Sequence, residues 1–235
     1  MPVFTVEHLS LVGAALAIGL MGGVITHWLD ARVDILLDHG FHAAWRYRTA
    51  VRCWHSIRGI DLAGFPFILS AAWLASDRTQ GIMVAILFSA LTICTVIDAR
   101  HHIIPDLVVF PLGCGGFLLS IFHPILVMSG GDAIVGLAAG MGPAGLLWYR
   151  RRWSDDAIGL GDVKLLGALG MWLGPIRVSI VFFIAAAVIL AMLLGVRVKK
   201  SGPTGSVPFA PAISASVFVI LCVELVCARQ GLALG

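Results

Sequence analysis

The chain has 235 residues, of which 59% are hydrophobic and 12% charged, and its mean hydropathy is +0.98. Ordinary soluble domains carry about 25% charge, so the composition excludes a soluble fold and predicts one integral membrane domain. A net charge of +3 is too small to argue for a nucleic-acid partner, and the five cysteines form no C-x-x-C pair that would suggest a disulfide framework or a zinc site.

In chain order, the first apolar run spans Leu9 to Leu29. It has no basic stretch before it and no small-x-small cleavage site, so residues 1–29 read as a retained membrane helix rather than a signal peptide. The segment 30–61 mixes arginines with Trp45, Tyr47, Trp54, His39, His42 and His55. Such a basic aromatic stretch suits the headgroup level, with rings in the interface and cations toward anionic lipid. The remainder, 62–235, reads as a membrane core with apolar segments at 62–76, 82–98, 105–122, 125–148, 160–174, 177–196 and 208–228. These predict an all-α membrane bundle of about eight segments. A full span takes roughly 20 apolar residues, so 62–76 and 160–174 are expected to be tilted, re-entrant or packed inside the bundle.

Alternating the loops between the two sides places Arg32, Arg46, Arg48, Arg52, Arg58, Arg100, Arg150, Arg151, Arg152, Arg197, Lys199 and Lys200 together. Only Arg78, Arg177 and Arg229 fall opposite. Cytoplasmic loops collect Lys and Arg, so the 30–60, 98–104, 149–159 and 197–207 loops are expected to face the cytoplasm.

Ionisable groups at membrane segments are functional candidates by default. Asp98 follows the uncharged run Ile82 to Ile97 and ends the third segment, whereas Asp162 opens the sixth within Gly159-Leu160-Gly161-Asp162-Val163-Lys164. Both fall at the cytoplasmic edge, as an acid–base pair requires. A helix N-terminus favours a charged carboxylate and a C-terminus disfavours it. Asp162 is therefore expected as the base that activates water and Asp98 as the acid. Gly159 and Gly161 are expected to supply positive φ and room for an extended substrate beside Asp162.

Plainer readings stand beside these. Asp98 serves equally as a solvated helix end near Arg100 and His101, and Asp162 as a first-turn acid facing Lys164 or the 150–152 arginines. Asp106 follows Pro105 as a favourable first-turn acid, and Lys164 is expected to snorkel to the interface. Asp132 and Glu224 read as interior hydrogen-bond partners or residues near the outer face.

Three motifs resemble those of type IV prepilin peptidases. Ile97-Asp98-Ala99-Arg100-His101-His102-Ile103-Ile104-Pro105-Asp106 is similar to the family's first-aspartate motif, an Asp followed seven and eight residues later by Pro-Asp. Gly159-Leu160-Gly161-Asp162-Val163-Lys164-Leu165-Leu166 resembles the second, G-x-G-D-x-K-L-L. Ser206-Val207-Pro208-Phe209-Ala210-Pro211 is similar to the I-P-F-G-P run before the last helix, with Ala210 in place of Gly. The resemblance covers roughly residues 62 to 228.

It implies an eight-helix aspartyl protease of the bacterial cytoplasmic membrane that removes the basic leader of prepilins or pseudopilins after a Gly at the cytoplasmic face. Asp98 and Asp162 match the catalytic pair, with Gly159, Gly161, Lys164, Pro105, Asp106 and Pro208 as binding or site-shaping residues. No cofactor and no metal is expected. Arg100 stands where many bacterial members have a second acid, and the 30–60 region holds only Cys53 where most carry a zinc subdomain with two C-x-x-C pairs. This departure places the family's second activity, methylation of the new N-terminus, in question for this chain. Two other classes compete: a carrier with paired membrane acids, against which stand the absence of an inverted repeat and of a helix broken near the midplane, and a catalytically silent component of a pilus or secretion assembly.

Overall fold

The computed structural model describes residues 78–122, 130–150, 159–195 and 208–229, with part of the stretch between 13 and 33. The expected segment 62–76 and nearly all of the basic aromatic stretch lie outside these residues. Five helices follow in order: α1, Arg78–His101; α2, Asp106–Phe122; α3, Gly130–Arg150; α4, Leu160–Gly195; and α5, Ala210–Arg229. The described residues between 13 and 33 are also helical, and Asp30 and Val33 among them lie past the boundary expected at 29.

Among the described residues, four helical stretches are long and apolar enough to cross a membrane: Thr79–His101, Gly130–Arg150, Leu160–Met192 and Ala210–Cys227. The protein is thus an all-helical, multi-pass membrane protein over its described residues. α2 is shorter, at 17 residues. The segments expected at 160–174 and 177–196 correspond to α4, which is interrupted by a single residue rather than a loop. At Gly174, φ is 78° and ψ is 176°, a conformation essentially confined to glycine. Pro175 follows, and a proline fits the first turn of a new helix, where its missing N–H would have no partner. A broken membrane helix was not expected, because the sequence reads there as two runs joined by a turn.

The chain divides into two compact units. The first comprises Met1–His101 and Leu221–Gly235, and the second His102–Ile220. In the first unit, the helix before Val33 approaches α1 at Gly22, where an added Cβ would stand 3.2 Å from Ser89 Cβ. α1 ends with Arg100, a cation favoured at a helix C-terminus, and then His101. His102, with φ of 54°, takes the left-handed conformation that commonly follows a helix end.

The second unit is organised by small residues. On α3 the buried positions are Ala133, Gly136, Gly140 and Ala144, a single stripe at helical spacing. That stripe lies directly on α4: a Cβ at Gly136 would sit 2.1 Å from the Gly170 carbonyl oxygen, one at Gly170 2.0 Å from that of Gly136, and one at Gly140 2.2 Å from that of Leu166. Two backbones in such contact leave no room for any side chain. Membrane helices gain from this approach because lipid tails offer no hydrophobic drive between helices, so dense packing replaces it. α2 uses the same device less tightly. Its buried face is Val109, Leu112, Gly113, Gly116 and Ser120, and Trp172 of α4 covers it. A Cβ at Gly116 would meet Trp172 Cδ1 at 2.5 Å, and the indole Nε1 donates to the Leu112 carbonyl at 2.7 Å.

Candidate active site

Asp98 belongs to the first unit and Asp162 to the second, and each has its own local construction. Asp98 lies in the last turn of α1 and is 5% exposed. The preceding turns are lined by Leu87, Leu91, Cys94 and Ile97, all buried, so an uninterrupted apolar stem leads to the carboxylate.

The next two positions of interest on α1 are Arg100 and His101, and both meet Asp30. Arg100 Nη1 donates to Asp30 Oδ2, and His101 Nε2 lies 2.8 Å from Oδ1. Asp30 is 8% exposed. Sequence reasoning had placed it at the start of a loop and missed the cluster. No spacing signal links positions 70 and 71 residues apart. The one available clue was an acid ending an apolar run while two basic residues ended another.

Asp162 is the third residue of α4 and is 8% exposed. Gly159 caps the helix: its carbonyl accepts the first helical bond from Val163 N at 3.4 Å, and its N–H donates to Asp162 Oδ2 at 3.0 Å. This is one half of a capping box, in which an acceptor in the first turn reaches back to satisfy the N-cap amide. Glycine at 159 cannot return the bond, so Asp162 alone is oriented. A Cβ at Gly159 would stand 3.2 Å from the same carboxylate oxygen.

The glycines differ from expectation. Gly174 is the glycine with positive φ among the described residues, so neither Gly159 nor Gly161 is there for a left-handed backbone. Gly161 does permit a close approach, but from its own chain: its Cβ would lie 2.9 Å from Ile104 Cβ. Ile104 was not singled out from the sequence, since an isoleucine before Pro105 carries no chemical signal.

Lys164 also departs from expectation. Its Nζ donates to both Asp106 carboxylate oxygens at 2.8 Å, joining the first turn of α4 to the first turn of α2 instead of snorkelling alone. Asp106 is a first-turn acid as expected, and Pro105 supplies the N-cap carbonyl, which accepts from Val108 at 3.0 Å and Val109 at 3.2 Å. Pro208 immediately precedes the N-cap of α5, where the Phe209 carbonyl accepts from Ile213 at 3.1 Å. Thus Gly159, Gly161, Asp162, Lys164, Pro105 and Asp106 form one connected neighbourhood, with Ile104 added and Pro208 at the start of a further helix.

A polytopic helical membrane protein with buried aspartates at the end of one helix and the start of another is the class defined so far. The sequence profile of the type IV leader peptidase family matches residues 85–196, a range containing both aspartates. The Leader peptidase HopD of Salmonella typhimurium is 34% identical over 130 residues, covering 53% of this chain and 81% of that protein. The Prepilin leader peptidase/N-methyltransferase of Dickeya chrysanthemi is 30% identical over 166 residues, 68% of this chain and 57% of the relative. That of Aeromonas hydrophila is 30% identical over 145 residues, covering 60% and 49%. The chain belongs to the type IV leader peptidase family. It spans about half the length of the curated peptidase/N-methyltransferase relatives. No solved structure matches it.

Proposed function

We propose that this protein is a membrane-embedded aspartyl endopeptidase that removes the leader of a prepilin or pseudopilin, with Asp98 and Asp162 as its catalytic residues. The observation that carries the reading is the capped, buried carboxylate of Asp162 in a family-matching segment, held by the Gly159 amide at the first turn of α4. A carboxylate that must accept a proton from water needs a fixed direction, and the cap supplies one. The relatives' names, leader peptidase and prepilin leader peptidase, supply the substrate class.

In this mechanism the two carboxyl groups share one water and one proton, as mutually repelling acids do. Ionised Asp162 takes a proton from the water as its oxygen attacks the scissile carbonyl carbon. Protonated Asp98 gives its proton to the departing amide nitrogen as the C–N bond breaks, leaving a new carboxylate and a new amine. Aspartate pairs of this kind act by general acid–base catalysis, which typically contributes about 10²–10⁴-fold in rate. The step requires no cofactor or metal. Lys164, Asp106 and Pro105 shape the entry to α4, and Pro208 does the same for α5. The family resemblance implies cleavage after a Gly in the bacterial cytoplasmic membrane, and the basic loops favour a site at its cytoplasmic face. The HopD relatives are named leader peptidase alone, which favours proteolysis without methyl transfer.

The test is processing of a purified prepilin by the purified chain in detergent, read by mass spectrometry. A leader-shortened product that disappears in both Asp98→Asn and Asp162→Asn, with helicity retained, supports the reading. Intact prepilin throughout refutes it; ion-dependent solute uptake by vesicles would identify a carrier instead. The acid and base assignments predict unequal pH profiles for Asp98→Glu and Asp162→Glu, and superimposable profiles would reject them.

A further inference from the structure

One carboxylate, that of Asp30, occupies both basic side chains at the end of α1. Arg100 bonds one oxygen, and His101 Nε2 lies 2.8 Å from the other. The side chains of Asp30, Arg100 and His101 are only 11%, 18% and 10% exposed. Withdrawing charges from water is costly, and the cost is offset only when the geometry is good and the remaining donors are satisfied. A buried ionic cluster is therefore weak as a stabiliser, and its use must be sought in what it fixes.

What it fixes is the last turn of α1. Helix termini fray, and their final carbonyls lack intrahelical partners. Asp98, Arg100 and His101 all lie within that turn. Tethering Arg100 and His101 to a neighbouring helix in the same unit removes the rotation and fraying that would re-aim a side chain two or three positions earlier. Arg100 also stands where many relatives were expected to carry an acid. Here the position holds a cation, and its counter-charge is supplied from the first helix.

We propose that Asp30 is a positioning residue for Asp98: its carboxylate clamps Arg100 and His101, and so holds the end of α1 in the orientation the reaction needs. This rests on the assignment of Asp98 as a catalytic residue. Misplacement of a reacting group by about 1 Å costs up to roughly 10²-fold in rate. Loss of the clamp is thus read in kcat and not in substrate affinity.

The experiment measures kcat, KM and thermal stability of the full chain in detergent, with a prepilin as substrate. Asp30→Asn is expected to lower kcat by about tenfold or more with KM within about twofold, and Asp30→Glu to restore most of the rate. The triple variant Asp30→Leu/Arg100→Met/His101→Leu removes all three members of the cluster, so none is left buried without its partner. It is expected to regain wild-type stability while kcat stays low. A merely structural cluster would let kcat return together with stability. Wild-type kcat in Asp30→Asn, or its recovery in the apolar triple variant, overturns the assignment while leaving the protease reading intact. Cleavage unaffected by Asp98→Asn, or absent from the wild type, overturns the protease reading and this assignment with it.

Discussion

Two glycines on α3, two residues apart, are predicted to respond differently to the same substitution. Gly140 is buried, and an added Cβ would lie 2.2 Å from the Leu166 carbonyl oxygen and 2.7 Å from its carbonyl carbon. Both atoms are backbone, so no rotamer change relieves the overlap. To reach ordinary contact near 3.5 Å, α3 and α4 must separate by about 1.3 Å. Overpacking of this kind costs roughly 1–3 kcal/mol, occasionally more. Gly142 is exposed, and apart from its chain neighbours nothing lies within 4 Å of its Cβ position; the neighbour that matters is Pro143, which follows it inside the helix. Gly142→Ala therefore gains the helix propensity of alanine, about 1 kcal/mol, which the crowding of its Cβ against the Pro143 ring offsets. In a chain of this size 1 kcal/mol moves Tm by about 2–4 °C. Gly140→Ala should lower Tm by several degrees in detergent, and Gly142→Ala should leave it within about 2–4 °C of the wild type. Since Leu166 lies four residues beyond Asp162, Gly140→Ala should also slow prepilin cleavage, whereas Gly142→Ala should leave it unchanged. Equal Tm shifts of the same sign would refute the helix–helix contact on which the reasoning depends.

The remaining predictions concern single contacts. Lys164→Met breaks an exposed ion pair, with side chains 37% and 62% exposed. Surface pairs are worth about 0–1 kcal/mol, so Tm should change by less than ~4 °C, and a larger fall would show that the link between α2 and α4 matters more than its exposure implies. Trp172→Phe removes the indole bond to Leu112 and should cost about 1 kcal/mol in a denaturation series. Gly116→Ala should cost more, and the Gly116→Ala/Trp172→Leu double variant should be less destabilised than the sum of its singles, because both act on one contact of 2.5 Å. Gly161→Ala should impair folding or cleavage, and Ile104→Ala should fail to rescue it, since the 2.9 Å clash is with the Ile104 Cβ that alanine retains. Rescue by Ile104→Ala would reject that geometry.

Helix ends were the legible part of the fold. Pro105 before α2, the Gly-rich entry to α4 and Pro208 before α5 all act through backbone conformation, which neighbouring residues largely determine. The membrane class was legible for the same reason, since it follows from composition. What the sequence withheld were contacts in which a residue matters through what it lacks. The stripe Ala133, Gly136, Gly140, Ala144 looks like ordinary small apolar sequence until a second backbone lies against it. Lys164 and Asp106, 58 residues apart, look like two separate edge charges until α2 and α4 bring their first turns together. Asp30 was hidden likewise: a charge after an apolar run reads as the solvated end of a helix, but here it is helical and nearly buried against Arg100 and His101.

The glycines of the Gly-x-Gly-Asp segment carry a different burden from the one their sequence suggests. A flexible turn would give Asp162 freedom, whereas the structure removes it from several directions. The Gly159 amide holds Oδ2, Ile104 presses on the Cβ position of Gly161, Lys164 ties the next part of the turn to Asp106, and the Leu166 carbonyl is covered by Gly140. A carboxylate aimed in advance loses no orientation free energy at the moment of reaction, which is how preorganised polar groups contribute most to rate. The same construction explains why a methyl group on α3 or at position 161 reaches the aspartate: in a turn with no slack, displacement of the backbone is displacement of the carboxylate.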